Sequence, residues 1–558
     1  MEEGKIIKDI LSSYSTIEII DQEEKDIIFF RLDGKEYGIW YSSKEDRISR
    51  PIILIKNAGY CDYPHIMYYE FPVDDEKNDK YRYICLYESN DCIQYLQSFE
   101  EKIIDAVDRL IKLVSLSELK VEKEYQKEFL YYWNEAATNK TKVEVYIGEN
   151  REFKKINCYY CREEKVFRMV SREISLNDKD KKLNNKKKWE FISDVPAYYI
   201  PIIDNRRILP PTHNNEWTVN NVMEIIKGKK INRITHDTYE KISKEKIKNK
   251  QISFIFDMIV NGNNITYVCL IKFKTSRNDT LLNKLEKEVI RIQIVKSERV
   301  DYYYLNKQIG NDISIIGKKI LLIGAGSLGS YVAMELVKSG FNNITIYDQD
   351  ILEYSNIFRY TSCVFWNGIN KAVVLKYNLE RIHPEIHINA VSQNINTKIL
   401  KEEMNKYDMI IFAVGSSDVQ LASNKLFKDT HYEKTVIYSW LEAGGENSHV
   451  LLINYLLDGC FECLYTDKSG DLINNKVNKL IDEQVEVKTI RNGCGGTRVA
   501  YGTEVLLRTT SVILNSVKKI FNKDVKENLL IDINENSVVK TCNFIERKCR
   551  CCGDRDKE

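Results

Sequence analysis

Apolar positions change period along the chain, and the changes mark out its elements. Between residues 100 and 116, Ile103, Ile104, Val107, Leu110, Ile111 and Val114 recur at i, i+3, i+4 and i+7. That spacing predicts an amphipathic helix with one apolar face. Short aromatic and β-branched runs at 26–30 and 37–41 precede it and read as strands. QISFIFDMIV and ITYVCLIKF read as two further strands in the middle of the chain. From about residue 296, strand-like runs alternate with helix-like ones: KKILLIG, then YVAMELVKSG, then NITIYDQD. The alternation predicts an α/β domain with a mainly parallel sheet. TEVLLRTTSVILNSVKKIF predicts a late helix.

Composition divides the 558 residues into a mixed α+β segment at 1–135, a lysine- and asparagine-rich segment at 136–295, the α/β segment at 296–553 and a short tail at 554–558. The run DKDKKLNNKKKWE at 178–190 reads as a solvated loop. With 83 basic and 82 acidic residues, no global charge favours a nucleic-acid or membrane partner. No apolar run approaches the ~18 residues that span a bilayer. The N-terminal MEEGKIIKDILSSYS has no apolar signal core, so a cytoplasmic location is expected. In that compartment the 14 cysteines are expected as metal ligands, nucleophiles or buried thiols.

Gly324, Gly326 and Gly329 stand in GxGxxG spacing between a strand and a helix that stops at Gly340. Gly324 permits a tight turn, Gly326 lets the backbone approach phosphate, and Gly329 lets helix and strand pack closely. The next strand ends at Asp348 and Asp350, where a carboxylate can bind a ribose hydroxyl. This pattern predicts a nucleotide site without separating NAD from ATP. Arg359 and Lys371 separate them. Hydride transfer needs no pair of cations at the phosphates. Adenylation does, because charge builds on the α-phosphoryl group and on the departing pyrophosphate.

GAGSLGSYVAMELVKSGFNNITIYDQDILEYSNIFRY, followed by GINKA, resembles the ThiF/MoeB superfamily, the catalytic core of ubiquitin-activating enzymes, over about residues 300–553. The resemblance implies ATP-dependent adenylation of a protein's C-terminal carboxylate, in a homodimer. It implies that Asp348 binds ribose, that Asn356, Arg359 and Lys371 bind the ATP phosphates, and that Asp418 serves Mg²⁺-ATP. Where the family carries an arginine that reaches the partner's ATP, this sequence has Lys307.

Two CxxC pairs, Cys460 with Cys463 and Cys549 with Cys552, supply four thiolates for a zinc site, an arrangement the same family has over long range. Cys551 competes with Cys552, which is chosen on spacing. Cys158 and Cys161 form a third pair without a partner pair, and no metal is expected there. Cys494, in RNGCGGTRVAYG, has small neighbours and a helix after it, as suits a nucleophile. The resemblance implies that it takes the activated acyl group as a thioester or persulfide.

Near the N-terminus, the ICL around Cys85 and the PHI at 64–66 are similar to the active-site stretches of ubiquitin-conjugating enzymes, without their oxyanion asparagine. Cys85 is therefore the candidate transfer thiol, ahead of Cys61 and Cys92. The whole order resembles bacterial activating–conjugating fusion proteins of antiviral operons, of the CD-NTase-associated or Bil type. It implies as partner a ubiquitin-like protein or another protein with a free C-terminal carboxylate, a CD-NTase included. The rivals are activation of a sulfur carrier, a microcin-type peptide-modifying ligase, a NAD-dependent oxidoreductase and a catalytically dead scaffold that merely binds nucleotide.

Overall fold

The computed structural model describes residues 2–553 apart from 25, 42–50, 60–61, 72–78, 88–96, 138–140, 178–188, 213–215, 229–231, 416, 468, 481, 492–496, 537 and 547–548. Most of the charged run at 178–190, and Cys61, Cys92 and Cys494, lie outside the described residues. The chain forms two compact units, Met1–Glu173 with Lys187–Val300, and Ile174–Lys186 with Asp301–Glu558. Among the described residues no helix is long and apolar enough to cross a membrane.

Among the described residues, two large sheets and a short two-stranded ladder, Lys246–Ile247 with Asp279–Thr280, build the first unit. The first, six-stranded among the described residues, is antiparallel. The helix Phe99–Val114 packs on it and starts at a capping box: Glu101 N–H donates to Ser98 Oγ, and Ser98 N–H donates to the Glu101 carboxylate. Its buried face is Ile103, Ala106, Val107, Leu110 and Leu113. Ile104, expected on that face, is 41% exposed. Ala106 and Leu113 centre the buried stripe one position away from it.

The second sheet closes on itself. Lys154–Cys161, Ala197–Pro201, Gln251–Val260, Asn263–Phe273, Val289–Arg299, Lys142–Tyr146 and Val166–Ser171 pair in that order, and the last pairs back with the first. Closure leaves a barrel with Val143, Val145, Ile156, Met169, Ile255 and Val268 packed together. Gln251–Val260 and Asn263–Phe273 are the expected pair of strands, joined at Asn261 and Gly262, both at positive φ. The helix Phe129–Glu135 packs against this sheet, with Phe129 and Trp133 against Tyr267.

The second unit is an α/β layer structure. Its sheet, eight-stranded among the described residues, runs His387–Val391, Asn343–Tyr347, Lys319–Ile323, Met409–Phe412 and Val436–Leu441 in parallel, then Ser448–Ile453, Leu529–Ile533 and Val539–Asn543 antiparallel. The parallel part places the C-terminal ends of Lys319–Ile323 and Asn343–Tyr347 side by side, where such sheets bind ligands. The helix Ser327–Lys338 follows the first of these strands. It ends as expected at Gly340, whose φ is +112°, with Phe341 N–H donating to Leu336 O and Gly340 N–H to Val337 O.

Candidate functional site

The glycine turn is built by close approach. Gly324 has φ +99°, and a Cβ there would lie 2.6 Å from the carbonyl oxygen of Ala413. A Cβ on Gly329 would lie 2.0 Å from the carbonyl oxygen of Gly324, so the helix touches the strand end only because no side chain intervenes. A Cβ on Gly326, the N-cap of the helix, would meet nothing within 4 Å. The turn is therefore tight on its protein side and open at Gly326, in front of the free N–H groups of the helix's first turn.

Asp348 fastens this turn to the next strand. One carboxylate oxygen accepts from Ala325 N–H at 2.6 Å, and the other from Asp350 N–H at 2.8 Å. Burial raises its pKa, against the opposing pull of these two backbone donors and of Lys371. Lys371 Nζ sits 3.0 Å from the carboxylate of Asp350. Asn370 holds the two stretches together by donating to the carbonyl oxygens of Asp348 and Asp350. Asp348, Asp350 and Lys371 thus converge at the glycine turn. Asn356 is occupied locally, its side-chain oxygen accepting from Glu353 N–H at 3.3 Å. Asp418 is exposed in the first turn of the helix Ser417–Asp429. Lys307 is exposed in the last turn of the helix Tyr302–Gln308.

Arg359 stands beside the helix Ser327–Lys338, because Thr361 exchanges hydrogen bonds with Ser330. Its Nη1 donates to Val499 O at 2.8 Å, and its guanidinium lies 5.0 Å from the ring centre of Tyr501. Its Nε is buried and has no hydrogen-bond partner among the described residues. Val499 ends a two-stranded hairpin, Thr489–Arg491 with Thr497–Val499. Cys494 belongs to 492–496, between the two strands in sequence and outside the described residues.

The two CxxC pairs meet. The sulfurs of Cys460, Cys463, Cys549 and Cys552 all lie within 4.8 Å of one another, in a group that can hold a metal ion. Asn424 supports them: its Nδ2 donates to Cys460 Sγ at 3.4 Å, and its Oδ1 accepts from Phe461 N–H and Tyr455 OH. Cys551 lies 2.9 Å from a carboxylate oxygen of Glu462 and also neighbours Cys460, outside the group of four.

The sequence of residues 312–552 matches the profile of the ThiF family. The C-terminal half is a ThiF family domain. Two relatives are each called ATP-dependent ubiquitin transferase-like protein Cap2. The one from Enterobacter hormaechei is 33% identical over 24% of this chain and 22% of its own. The one from Pseudomonas aeruginosa is 23% identical over 48% of each chain. The chain therefore spans less than half the length of these relatives. A crystal structure of E. coli MccB with ATP covers 45% of this chain and 71% of its own, at 19% identity and a TM-score of 0.34.

Outside the ThiF domain, Cys85 is exposed just past the strand Tyr81–Ile84. It lines a cavity of about 580 Å³ with His65, Tyr87, Arg109, Glu124 and Glu128. Cys85 N–H donates to His65 O at 2.9 Å. His65, at φ +69°, is held from all sides: its N–H donates to Tyr132 OH, and its ring faces Glu128 at 3.2 Å and Glu124 at 3.5 Å. Burial would lower the imidazole's pKa, but Glu128 and Glu124 outweigh it and raise it. Cys158 and Cys161 are an odd number of residues apart on a regularly paired strand and so point to opposite faces. Sequence reasoning passed over Asn370, Val499, Tyr501, Glu124 and Glu128. Asn370 was detectable, since an asparagine just before a helical run is an N-cap signal. Val499 and Tyr501 act through a backbone carbonyl and a ring face, which leave no motif.

Proposed function

We propose that the ThiF domain adenylates the C-terminal carboxylate of a protein substrate with ATP, and that the chain then carries the acyl group on a thiol. The observation that carries this reading is the convergence at the glycine turn. An open turn at Gly326, a half-buried carboxylate on Asp348 and an ammonium on Lys371, with an orphaned donor on Arg359 beside the helix that follows, fit a triphosphate and its ribose. In this reading the helix N–H groups and Lys371 bind phosphate, Asp348 binds the ribose hydroxyl, and Asp350 and Asp418 are the carboxylates available to Mg²⁺. Asn356 joins the phosphate contacts by giving up its local bond. Bound Mg²⁺ supplies charge neutralisation at the phosphates. Arg359 and Lys371 stabilise the charge that develops as the carboxylate oxygen attacks the α-phosphorus and pyrophosphate leaves.

Cys494 is the first thiol in this scheme. Its sulfur attacks the acyl-adenylate carbonyl, AMP departs, and a thioester forms. Cys85 is the second thiol and hands the acyl group to an amine, in a conjugating-like segment at 1–135. The middle segment, 136–295, serves as a scaffold between the two. The cysteine cluster holds Zn²⁺: four sulfurs, closed and mostly buried, fit a structural tetrahedral site. The names of the Cap2 relatives support a ubiquitin-like transfer. The substrate proposed is a ubiquitin-like protein or another protein with a free C-terminal carboxylate, such as a CD-NTase. Exchange of labelled pyrophosphate into ATP, dependent on a candidate substrate with an unblocked C-terminus, tests the first step. Intact-mass analysis of Cys494→Ala and Cys85→Ala variants tests the second. No exchange with any free-carboxylate candidate, together with no ATP binding, would overturn the reading. Exchange with an adduct resistant to thiol reductant would favour a ligase that works through free acyl-adenylate.

A further inference from the structure

Arg359 has one donor spent and others left over. Nη1 is taken by Val499 O at 2.8 Å, while the guanidinium packs 5.0 Å from the centre of the Tyr501 ring. Nε is buried and lacks an acceptor among the described residues. A buried N–H without an acceptor is uncommon and calls for a partner. The backbone around these contacts is fixed from both sides. Tyr360 OH donates to Lys371 O, and Thr361 bonds to Ser330 in the glycine-turn helix. On the other side, Gly444 N–H donates to Ala500 O at 2.6 Å, Ala500 N–H to Lys488 O, and Thr503 Oγ1 to Phe358 O.

We infer that Tyr501 and the Val499 carbonyl are positioning groups of the nucleotide site, and that they tie the paired strands Thr489–Arg491 and Thr497–Val499 to its occupancy. This rests on the reading of Arg359 as a phosphate ligand. A flexible arginine loses side-chain freedom when it binds an anion. Here the loss is taken before binding: the ring sets the plane of the guanidinium, the carbonyl sets its rotation, and the remaining donors stay available. The same contacts run the other way. An anion that fixes Arg359 also fixes Val499 and Tyr501, so nucleotide binding stiffens the paired strands Thr489–Arg491 and Thr497–Val499.

The test uses the full chain, Mg²⁺ and a non-hydrolysable ATP analogue, with titration calorimetry and hydrogen exchange. Tyr501→Phe keeps the ring and is expected to bind the analogue like the wild type. Tyr501→Ala is expected to bind it about tenfold more weakly, in line with the loss of one partly buried cation–π contact. Amides of 497–501 are expected to gain protection when the analogue is added to the wild type, and not to Arg359→Ala. A merely structural tyrosine would give no such nucleotide-dependent protection. Analogue binding by the wild type that Arg359→Ala weakens and Tyr501→Ala leaves unchanged, with no added protection, overturns this inference alone. Absence of binding by the wild type overturns the reading on which it rests.

Discussion

The carboxylate of Asp348 accepts a 2.6 Å hydrogen bond from the backbone N–H of Ala325, joining the end of one parallel strand to the glycine turn of its neighbour. Its other oxygen takes Asp350 N–H, so one side chain sets the shape of both segments. Asp348→Ala leaves two backbone donors unmatched in a half-buried place, which costs about 1–3 kcal/mol for each group fully desolvated. The variant is expected to unfold at lower denaturant in chemical denaturation followed by circular dichroism. It is also expected to lose ATP-analogue binding in calorimetry. Wild-type affinity in Asp348→Ala would remove Asp348 from the nucleotide site.

His449 supplies a pH dependence. Its Nδ1 lies 2.7 Å from Asp532 and its Nε2 2.7 Å from Glu442, in a buried position. Burial would lower the imidazole's pKa, but the hydrogen bonds to Asp532 and Glu442 prevail and raise it. A folded-state pKa above the unfolded one means the stabilisation is full below the unfolded value, about 6.5. It is lost as pH rises through the folded value, by about 1.4 kcal/mol for each unit of separation. Glu442 shifts the other way: burial pushes up, the bonds from His449 and the backbone push down further, and its contribution fades as pH falls through its lowered value. Melting temperature is therefore expected to fall from pH 6.5 toward pH 9 in the wild type, and His449→Gln should flatten that slope. An unchanged slope in His449→Gln would assign the effect elsewhere, His65 being the next group with a raised pKa.

The cysteine cluster makes a prediction about metal. The purified chain is expected to carry one zinc ion by elemental mass spectrometry. Cys463→Ser is expected to lose it and to melt at a lower temperature, because a closed site contributes folding energy. Cys551→Ser should keep its zinc, since the four mutually close sulfurs do not include that thiol, which bonds Glu462. Equal metal loss in the two variants would mean that Cys551 belongs to the coordinating set.

These features differ in how far they were written in local sequence. Gly324 and Gly329 were legible because each answers a steric demand at the turn, and Gly326 because it leaves the turn open in front of the helix. The two CxxC pairs were legible because their chemistry is stated by the residues themselves, although the fold must bring Cys460 and Cys549 together across 89 positions. The contact of Arg359 with Val499, 140 positions away, was not legible, since any residue supplies a carbonyl. The barrel was hidden for a related reason. Parallel pairing of Lys142–Tyr146 with Val289–Arg299 depends on distant strands of ordinary composition. The antiparallel edge of the α/β sheet was equally silent, because SHVLLI reads the same whichever way its neighbour runs.

Thiol reactivity should separate Cys85 from the buried cysteines. Burial pushes the thiols of Cys158 and Cys269 up to about 12, while Cys85 is exposed. Native iodoacetamide treatment at pH 7.5, read by peptide mass spectrometry, is expected to label Cys85 and to spare Cys158 and Cys269. His65 lines the same cavity, and Glu128 and Glu124 raise the pKa of its imidazole. At pH values low enough to protonate the imidazole, His65→Ala is expected to slow labelling of Cys85 about twofold through the lost cation. Exposed Cys542 should be unaffected. An unlabelled Cys85 would remove it as a transfer thiol.

One stretch of the ThiF domain exposes several large apolar side chains. Phe358 is 95% exposed, Phe365 75% and Tyr354 70%, all close in sequence to Arg359. Burying one such ring is worth about 1.5–3 kcal/mol, and exposed apolar patches of this kind mark contact surfaces. A second copy of the chain is the expected occupant, as in the homodimer implied by family resemblance. The wild type is then expected to sediment at twice the chain mass. Phe358→Asp combined with Phe365→Asp should sediment at the mass of one chain, because each carboxylate would otherwise be buried without a partner. Asp348 and Lys371 stand at the glycine turn within one chain, so the double variant should keep measurable affinity for an ATP analogue even as a monomer. A wild type that sediments as a single chain at all concentrations would assign these rings to a different partner, the activated protein being the next to test.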